Sequence, residues 1–597
     1  NLVKELKALN KYLIKYKGRL ILGVFFIICA NWFNLYPAKI FRTAIDTVIE
    51  SLNTYNMVEG SFIQKDIYDE LVMSLLLFGA ALIGLALIKG VFTFFMRYTI
   101  IMVSRFIEFD LKNDIYNKYQ QLDTSFYKMN KTGDIMNRIG DDVSKVRMYV
   151  GPSIMYLINL IVLFALVITT MVNINPELSL YILLPLPVMS VTIYYVSRLI
   201  NVKSERVQNQ LSRIFSLSQE TFAGIRVIKA YNKSEDTIQN FNEESKQYKD
   251  TAMDLVKTES LFHPIILFLP VLSTLITIYV GGLEVIKGTI TYGNIGEFVI
   301  YINLLTWPVA SLGWVTSLIQ RAVTSQKRIN EFLKTEPKIQ SNNPIPMDIV
   351  GNVEFKNVSF TYPESGIRAL KNISFSIKPG KTLAIVGKTG SGKSTIIQLL
   401  NRMYDCNTGE IFVDNQNIES INLNSLRNQT GCVPQEVFLF SDTISNNISF
   451  GTFGNEEKSN TEKVIWAAKQ AAVHENIINF EDGYKTKVGE RGITLSGGQK
   501  QRISIARAIL KNPNILIFDD CLSAVDTETE EEILGNLKSI MVDKTTIIVS
   551  HRISTIQHAD QIIMIDNGEI IEQGTHKELI DLNKNYNNLY KKQLFEQ

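Results

Sequence analysis

Six runs without Asp, Glu, Lys or Arg fill the first half of the chain: Leu20–Ala38, Leu71–Ile88, Met148–Pro176, Leu178–Ser197, Ser260–Leu283 and Phe298–Gln320. Each is near the roughly 20 residues that a helix needs to cross the hydrocarbon core of a bilayer. The second is expected to continue past Lys89 and Arg97 to about Val103. One buried soluble helix can imitate such a run, but six in order cannot. The pattern therefore predicts an all-α membrane bundle with six transmembrane helices and both termini on one side.

Charge says which side. Residues 1–19 carry six Lys/Arg, the 104–147 connection eight and the 198–259 connection ten. The three opposite connections hold only Lys65 and Lys287. Positive-inside reasoning places the termini and both long connections in the cytoplasm. Those connections carry helical periodicity over Ile107–Leu122 and Val207–Phe222. Their tips, Phe126–Asp134 and Gly224–Tyr231, mix aromatic, glycine and basic residues, as docking elements do; an ordinary helical hairpin is the bland alternative.

Beyond residue 333 the pattern changes. The stretch 334–350 holds Pro337, Pro344 and Pro346 among Asn, Ser and Gln, a linker signal. From 351 to 597 short apolar runs alternate with helical stretches. Val353–Phe360, Thr382–Val386, Gly431–Val433, Ile515–Phe518, Thr545–Val549 and Gln561–Ile565 read as strands of a largely parallel sheet in an α/β domain. The expected organisation is thus a transmembrane domain over 1–333, a linker, and a second domain over 351–597.

Bulk composition adds exclusions. A net charge of +2, from 61 basic and 59 acidic residues among 597, gives no reason to expect a nucleic-acid partner. Cys29, Cys406, Cys432 and Cys521 are too scattered for a metal or disulfide framework. The basic start runs into a span without a small-residue cleavage site, so no removable signal is expected. Lys-, Ile- and Asn-rich usage suggests an AT-rich bacterial genome and hence the cell (inner) membrane.

The second half carries the chemistry. Gly387-Lys388-Thr389-Gly390-Ser391-Gly392-Lys393-Ser394 fits GxxxxGK[ST], follows an apolar strand and opens a helix over Ser394–Leu400, with Thr395 counted among the candidate nucleotide-binding residues. Glycines let backbone N–H groups wrap phosphates, Lys393 meets the β/γ-phosphates and Ser394 ligates Mg²⁺. Ile515–Asp520 is an apolar strand ending in two acids, which puts Asp519 beside the metal and Asp520 toward the attacking water.

These motifs are joined by Leu495-Ser496-Gly497-Gly498-Gln499, which resembles the signature of ATP-binding cassette (ABC) proteins. Six spans followed by one cassette is similar to an ABC exporter half-transporter over nearly the whole chain. Val488–Gly492 resembles the loop that exporters have and importers lack. The resemblance implies ATP and Mg²⁺ as cofactors, with Tyr362 stacking on adenine, Gln435 touching Mg²⁺ and His551 contacting the γ-phosphate. Ser496, Gly497, Gly498 and Gln499 would face a nucleotide held by a second cassette, and Ser523–Asp526 would cross that interface. It also implies a dimer that moves a drug, lipid or peptide out of the cytoplasm or inner leaflet by alternating access. An ATP-gated or regulatory protein that does not pump is the alternative. No peptidase domain precedes the spans, which argues against a peptide processor.

One position departs from the family. The usual acid pair is Asp-Glu, and here it is Asp519-Asp520. A shorter acid fits either the weakened subunit of a heterodimer or a homodimer that tolerates Asp520, and the sequence leaves both open. In the membrane half, Lys39, Arg42, Asp46, Lys89 and Arg97 either line a cavity for an amphipathic, partly anionic cargo or pair among themselves. Trp32, Trp307 and Trp314 are expected to pack.

Overall fold

The computed structural model describes all residues except 1, 59, 342, 453–460, 490, 491, 493, 494, 523, 524 and 597. Two compact units emerge: Asn1–Tyr119 with Gly133–Thr335, and Gln120–Thr132 with Glu336–Gln597.

The first unit is helical. Its long helices are α1 (Lys17–Met57) and α2 (Ile63–Gln121), followed after the short α3 (Thr124–Met129) by α4 (Ile154–Ile174), α5 (Pro185–Ala223), α6 (Ile225–Ala230), α7 (Ser234–Ile286) and α8 (Tyr292–Leu333). Five described stretches are long and apolar enough to cross a membrane: Lys17–Met57, Ile63–Gln121, Thr132–Ile174, Pro176–Ala223 and Tyr292–Leu333. The remaining predicted run lies inside α7, whose apolar part Pro270–Ile286 is also helical. The expected charged extensions are present, since α2 runs unbroken to Gln121 and α5 to Ala223. Pro37, Pro264, Pro270 and Pro308 sit within helices, as membrane helices tolerate when neighbours satisfy the freed carbonyls.

Two of the weakly charged connections meet at one end of this unit. Asn175 breaks the long apolar stretch between the third and fourth runs. Its Oδ1 accepts the Leu178 N–H at 2.9 Å and caps a helix opened by Pro176. Its Nδ2 donates to Glu284 Oε2 at 3.3 Å, tying this turn to the 284–297 connection. At the other end Lys15 pairs with Asp110, and the Arg19 guanidinium lies 4.9 Å over the Phe106 ring.

The second unit is the expected α/β domain with one addition. A six-stranded sheet has the order β10-β9-β3-β8-β7-β6, from β3 (Thr382–Gly387), β6 (Thr430–Val433), β7 (Ile515–Asp519), β8 (Thr545–Val549), β9 (Gln561–Asp566) and β10 (Glu569–Gly574). All neighbours are parallel except the β9–β10 edge. A separate antiparallel sheet joins β2 (Arg368–Ile377), β1 (Val353–Thr361), β4 (Thr408–Val413) and β5 (Gln416–Asn417) in that order; the predicted strand Val353–Phe360 belongs here and not to the parallel sheet, because it pairs with β2 and β4, neither of which the sequence marks as a strand. Successive β3 side chains point to opposite faces. Leu383 and Ile385 therefore enter the core shared with this second sheet, while Ala384 and Val386 enter the helical core opposite.

The short α3 folds with this second unit. Asp123 caps it, accepting from Phe126 N at 3.2 Å and from the Ser125 hydroxyl, and its other oxygen accepts from Lys338 N at 2.9 Å. Burial opposes the charge, but these hydrogen bonds outweigh it and hold the carboxyl below its ordinary range. The carboxylate thus stabilises this region above the unfolded pKa, and the contribution is lost as pH falls through the folded one. Asp123→Ala should cost about 1–2 kcal/mol locally. Hydrogen exchange should show the α3 amides losing protection while β3 amides keep theirs.

Candidate functional site

The parallel strands deliver their carboxyl ends to one edge of the sheet, where such folds bind ligands. β3 leads into the Gly387–Ser394 loop and then α9 (Lys393–Leu400). The loop needs its glycines. A Cβ on Gly387 would lie 2.2 Å from Ile565 O, and Gly392, at φ +105°, would place one 2.5 Å from Ala369 O. Lys393 Nζ curls over the loop and donates to Gly387 O at 2.7 Å and Lys388 O at 2.8 Å. Burial lowers its proton affinity, against the pull of Asp520 and Asp519. Ser391 Oγ is buried without a hydrogen-bond partner, a donor inside a ring of backbone N–H groups.

Next along the edge, Ser394 Oγ donates to Asp519 Oδ1 at 3.2 Å. Asp519 is buried, and that burial pushes its carboxyl up, only partly offset by the Ser394 bond. A carboxylate held at such cost gains strongly from a cation beside it. The phosphate cradle, the orphan Ser391 hydroxyl and the Ser394–Asp519 oxygen pair therefore fit a triphosphate and its magnesium.

Asp520 stands at φ +48°, its N–H bonded to Val549 O at 2.9 Å. Its Oδ1 lies 2.8 Å from His551 Nδ1, and Gln435 Nε2 is 3.5 Å from its Oδ2, a long and weak contact. This pairing was missed from the sequence, though the signal was present. β7 and β8 are parallel neighbours with Asp519 opposite Val549, so the residues just after each strand emerge together.

Tyr362, at the end of β1, has its hydroxyl 3.0 Å from Thr395 Oγ1 and donates to Gln398 Oε1 at 3.1 Å. Phe360 and Tyr404 pack edge-on against its ring, at 4.9 and 5.5 Å. Phosphate loop, Asp519, Asp520, Gln435, His551 and Tyr362 are thus built around one sheet edge. The signature is not among them. Ser496 caps α10 (Gly497–Leu510) in a capping box with Gln499, Ser496 and Gly497 are exposed, and none of Ser496–Gln499 bonds to the phosphate loop. Glu490 and Arg491 of the exporter-type loop, and Ser523 and Ala524 of the interface loop, lie outside the described residues.

In the helical unit the ionisable residues divide. Arg42 Nη1 is 3.4 Å from the fully buried Glu297 carboxylate, and Asp46 accepts from Thr291 Oγ1 and Gly293 N, both at 2.8 Å. Lys89 Nζ donates to Asn34 Oδ1 at 2.6 Å, a neutral partner, and Lys39 lies over the Tyr36 ring at 5.4 Å. Trp32 and Trp314 meet Tyr36 and Tyr156 edge-on, but these two and Trp307 are all exposed, so the expected packing extends only to single ring contacts. The tip around α6 leaves Phe222, Val227 and Tyr231 exposed.

Two family models match: one described as the ABC transporter transmembrane region over residues 20–309, the other as ABC transporter over 370–523. A multidrug resistance-like ATP-binding protein of Buchnera aphidicola is 33% identical, over 98% of this chain and 97% of its own. A probable multidrug resistance ATP-binding/permease protein of Bacillus subtilis is also 33% identical, over 98% and 97%. An ATP-dependent lipid A-core flippase of Nitrosococcus oceani is 32% identical over 90% and 89%. Among solved structures, a bacterial Atm1-family ABC exporter with ATP bound superposes with a TM-score of 0.77 at 26% identity, covering 97% of this chain and 98% of that one.

Proposed function

From the premise that this chain belongs to the ABC transporters, as a multi-pass membrane protein whose exporter-type helical region is fused to its ATPase, we propose that it works in a dimer to export an anionic amphiphile. ATP hydrolysis coupled to export follows from the family; the partner, the cargo and the residue roles are the proposal. Both termini would lie in the cytoplasm, following the basic connections.

The dimer reading rests on the exposed signature. An exposed turn with a polar cap, opening a 14-residue helix, is suited to an anion. In its own chain none of its residues bonds to the phosphate loop, so the nucleotide it faces would be one held by a second chain. The exposed Phe222, Val227 and Tyr231 at the α6 tip support the same reading, as a docking surface left for a partner chain's cassette. Bound magnesium would supply positive charge between the phosphates at Ser394, Asp519 and Gln435. Lys393 draws charge from the β/γ-phosphates, Tyr362 stacks on the base, and Asp520 orients the attacking water with His551 beside the γ-phosphate. Closure of the two cassettes, felt at α3 and α6, would turn the helices outward.

Lys89 carries the cargo reading. It lies 17 residues up α2 from Phe106, which meets Arg19 at the basic end, or about 25 Å of helix. An 18-residue run without charge continues beyond it. A lysine so placed is costly in hydrocarbon, and the Asn34 amide offsets only part of that cost. The Phe33 and Phe92 rings, stacked at 5.5 Å, flank Asn34 and Lys89 with apolar surface. An anionic head with an apolar tail fits this combination. In inside-out vesicles, ATP should drive accumulation of an anionic amphiphile over its neutral analogue. Lys89→Gln should cut that preference about tenfold, the worth of one hydrogen bond to a charged group. Accumulation against a gradient would also exclude a mere gate, and an unaltered preference in the variant would remove Lys89 from the cargo site.

A further inference from the structure

Lys128 belongs to α3, a helix encoded among the membrane spans, yet its ammonium lies in the ATPase unit, 4.9 Å over the Tyr362 ring and 5.2 Å over the Tyr404 ring. The two rings are perpendicular, so they form a notch with two π-faces turned to one cation. The notch is fixed from behind. Thr395 and Gln398 hold the Tyr362 hydroxyl, and Tyr404 donates to Glu364 Oε1 at 2.7 Å, which adds negative charge nearby. Asp123 and its tether to Lys338 anchor the helix that carries the lysine.

We propose that Lys128 is a positioning residue for the nucleotide base: it seats Tyr362 by a cation–π contact, so that base binding depends on the docking of α3. The inference rests on Tyr362 being the base-stacking residue. Thr395 and Gln398 pin one edge of the ring through the hydroxyl, Phe360 and Tyr404 pack edge-on against it, and the ammonium loads one face. With that face taken by a cation, the opposite face is the one left for a flat base, and an adenine there would complete a cation–ring–base stack. A membrane-derived helix would thereby register whether the base site is filled, through a contact that requires no phosphate.

The test is equilibrium binding by the full chain in lipid nanodiscs, with ATP and with inorganic tripolyphosphate, which has no base. Lys128→Met keeps length and removes charge; Lys128→Arg keeps charge. Lys128→Met should weaken ATP binding two- to fivefold, about the worth of a partly exposed cation–π contact, with tripolyphosphate affinity unchanged and Lys128→Arg restoring ATP. Unchanged or tighter ATP binding in Lys128→Met overturns the proposal. So does an equal loss for both ligands, which would mean a disturbed phosphate loop. Tyr362→Ala separates the underlying reading: if it too leaves ATP affinity unaltered, Tyr362 is not the base residue, whatever Lys128 does.

Discussion

Lys393→Ala should abolish ATP-dependent transport and lower ATPase activity by roughly 10³-fold, the scale for losing one preorganised charged donor at a transferring group. The structure explains why the loss should be functional rather than structural. Among the described residues, Lys393 Nζ bonds only to the Gly387 and Lys388 carbonyls, both in the loop it serves. Its burial already works against its charge, so alanine gives up two hydrogen bonds but also relieves a desolvation cost. Membrane insertion and the melting midpoint should change little. ATPase rate in nanodiscs and uptake in inside-out vesicles are the two readouts. Uptake at the wild-type rate would end the pump reading.

Asp520→Glu should act in the opposite direction, raising the hydrolysis rate of the site about 10²-fold, the lower range for general-base assistance. In the native chain the short carboxylate is drawn to His551 at 2.8 Å, and Gln435 is too distant for a strong bond. One more methylene would let the acid reach past that pair toward the phosphates. There is an opposing effect, because position 520 sits at φ +48°, where aspartate is tolerated better than glutamate. The strain is of order 1 kcal/mol, against about 2.7 kcal/mol of barrier for a 10²-fold gain, so the gain wins. The chain expressed alone should therefore hydrolyse ATP slowly, and Asp520→Glu should make it fast. A rapid wild-type rate, unaltered by the substitution, would favour a homodimer in which Asp520 suffices.

What was legible in the sequence was what has a local signature. The apolar runs of α1, α2 and α8, and the strands at Thr382, Ile515, Thr545 and Gln561, show themselves because apolar surroundings, lipid for the helices and packed protein for the strands, leave almost no charged residue within them. β2 and β4 did not, since Arg368–Ile377 and Thr408–Val413 alternate buried and exposed residues and bury one face only. The wide turns at Arg138–Asp142 and Tyr149–Ser153, where helical hydrogen bonding loosens, have no residue pattern that marks them. The nucleotide residues were readable because glycines and paired acids after strands have few other uses. The Lys128–Tyr362 contact was not, because a lysine in a polar helix looks like any solvated charge until the chain folds over it.

That α3 folds with the ATPase unit also sets an order of events during synthesis. The helix at Thr124–Met129 leaves the ribosome some two hundred residues before β1 begins, roughly 10–40 s at ordinary elongation rates. For that interval Lys128 and Thr124 lack the Tyr362, Tyr404 and Met403 they later meet, while the spans on either side are already entering the bilayer. The nascent chain must carry a bare docking helix until its last third is made. A stall or truncation after the sixth span would therefore leave a membrane protein displaying an adhesive tip, a natural mark for quality-control proteases.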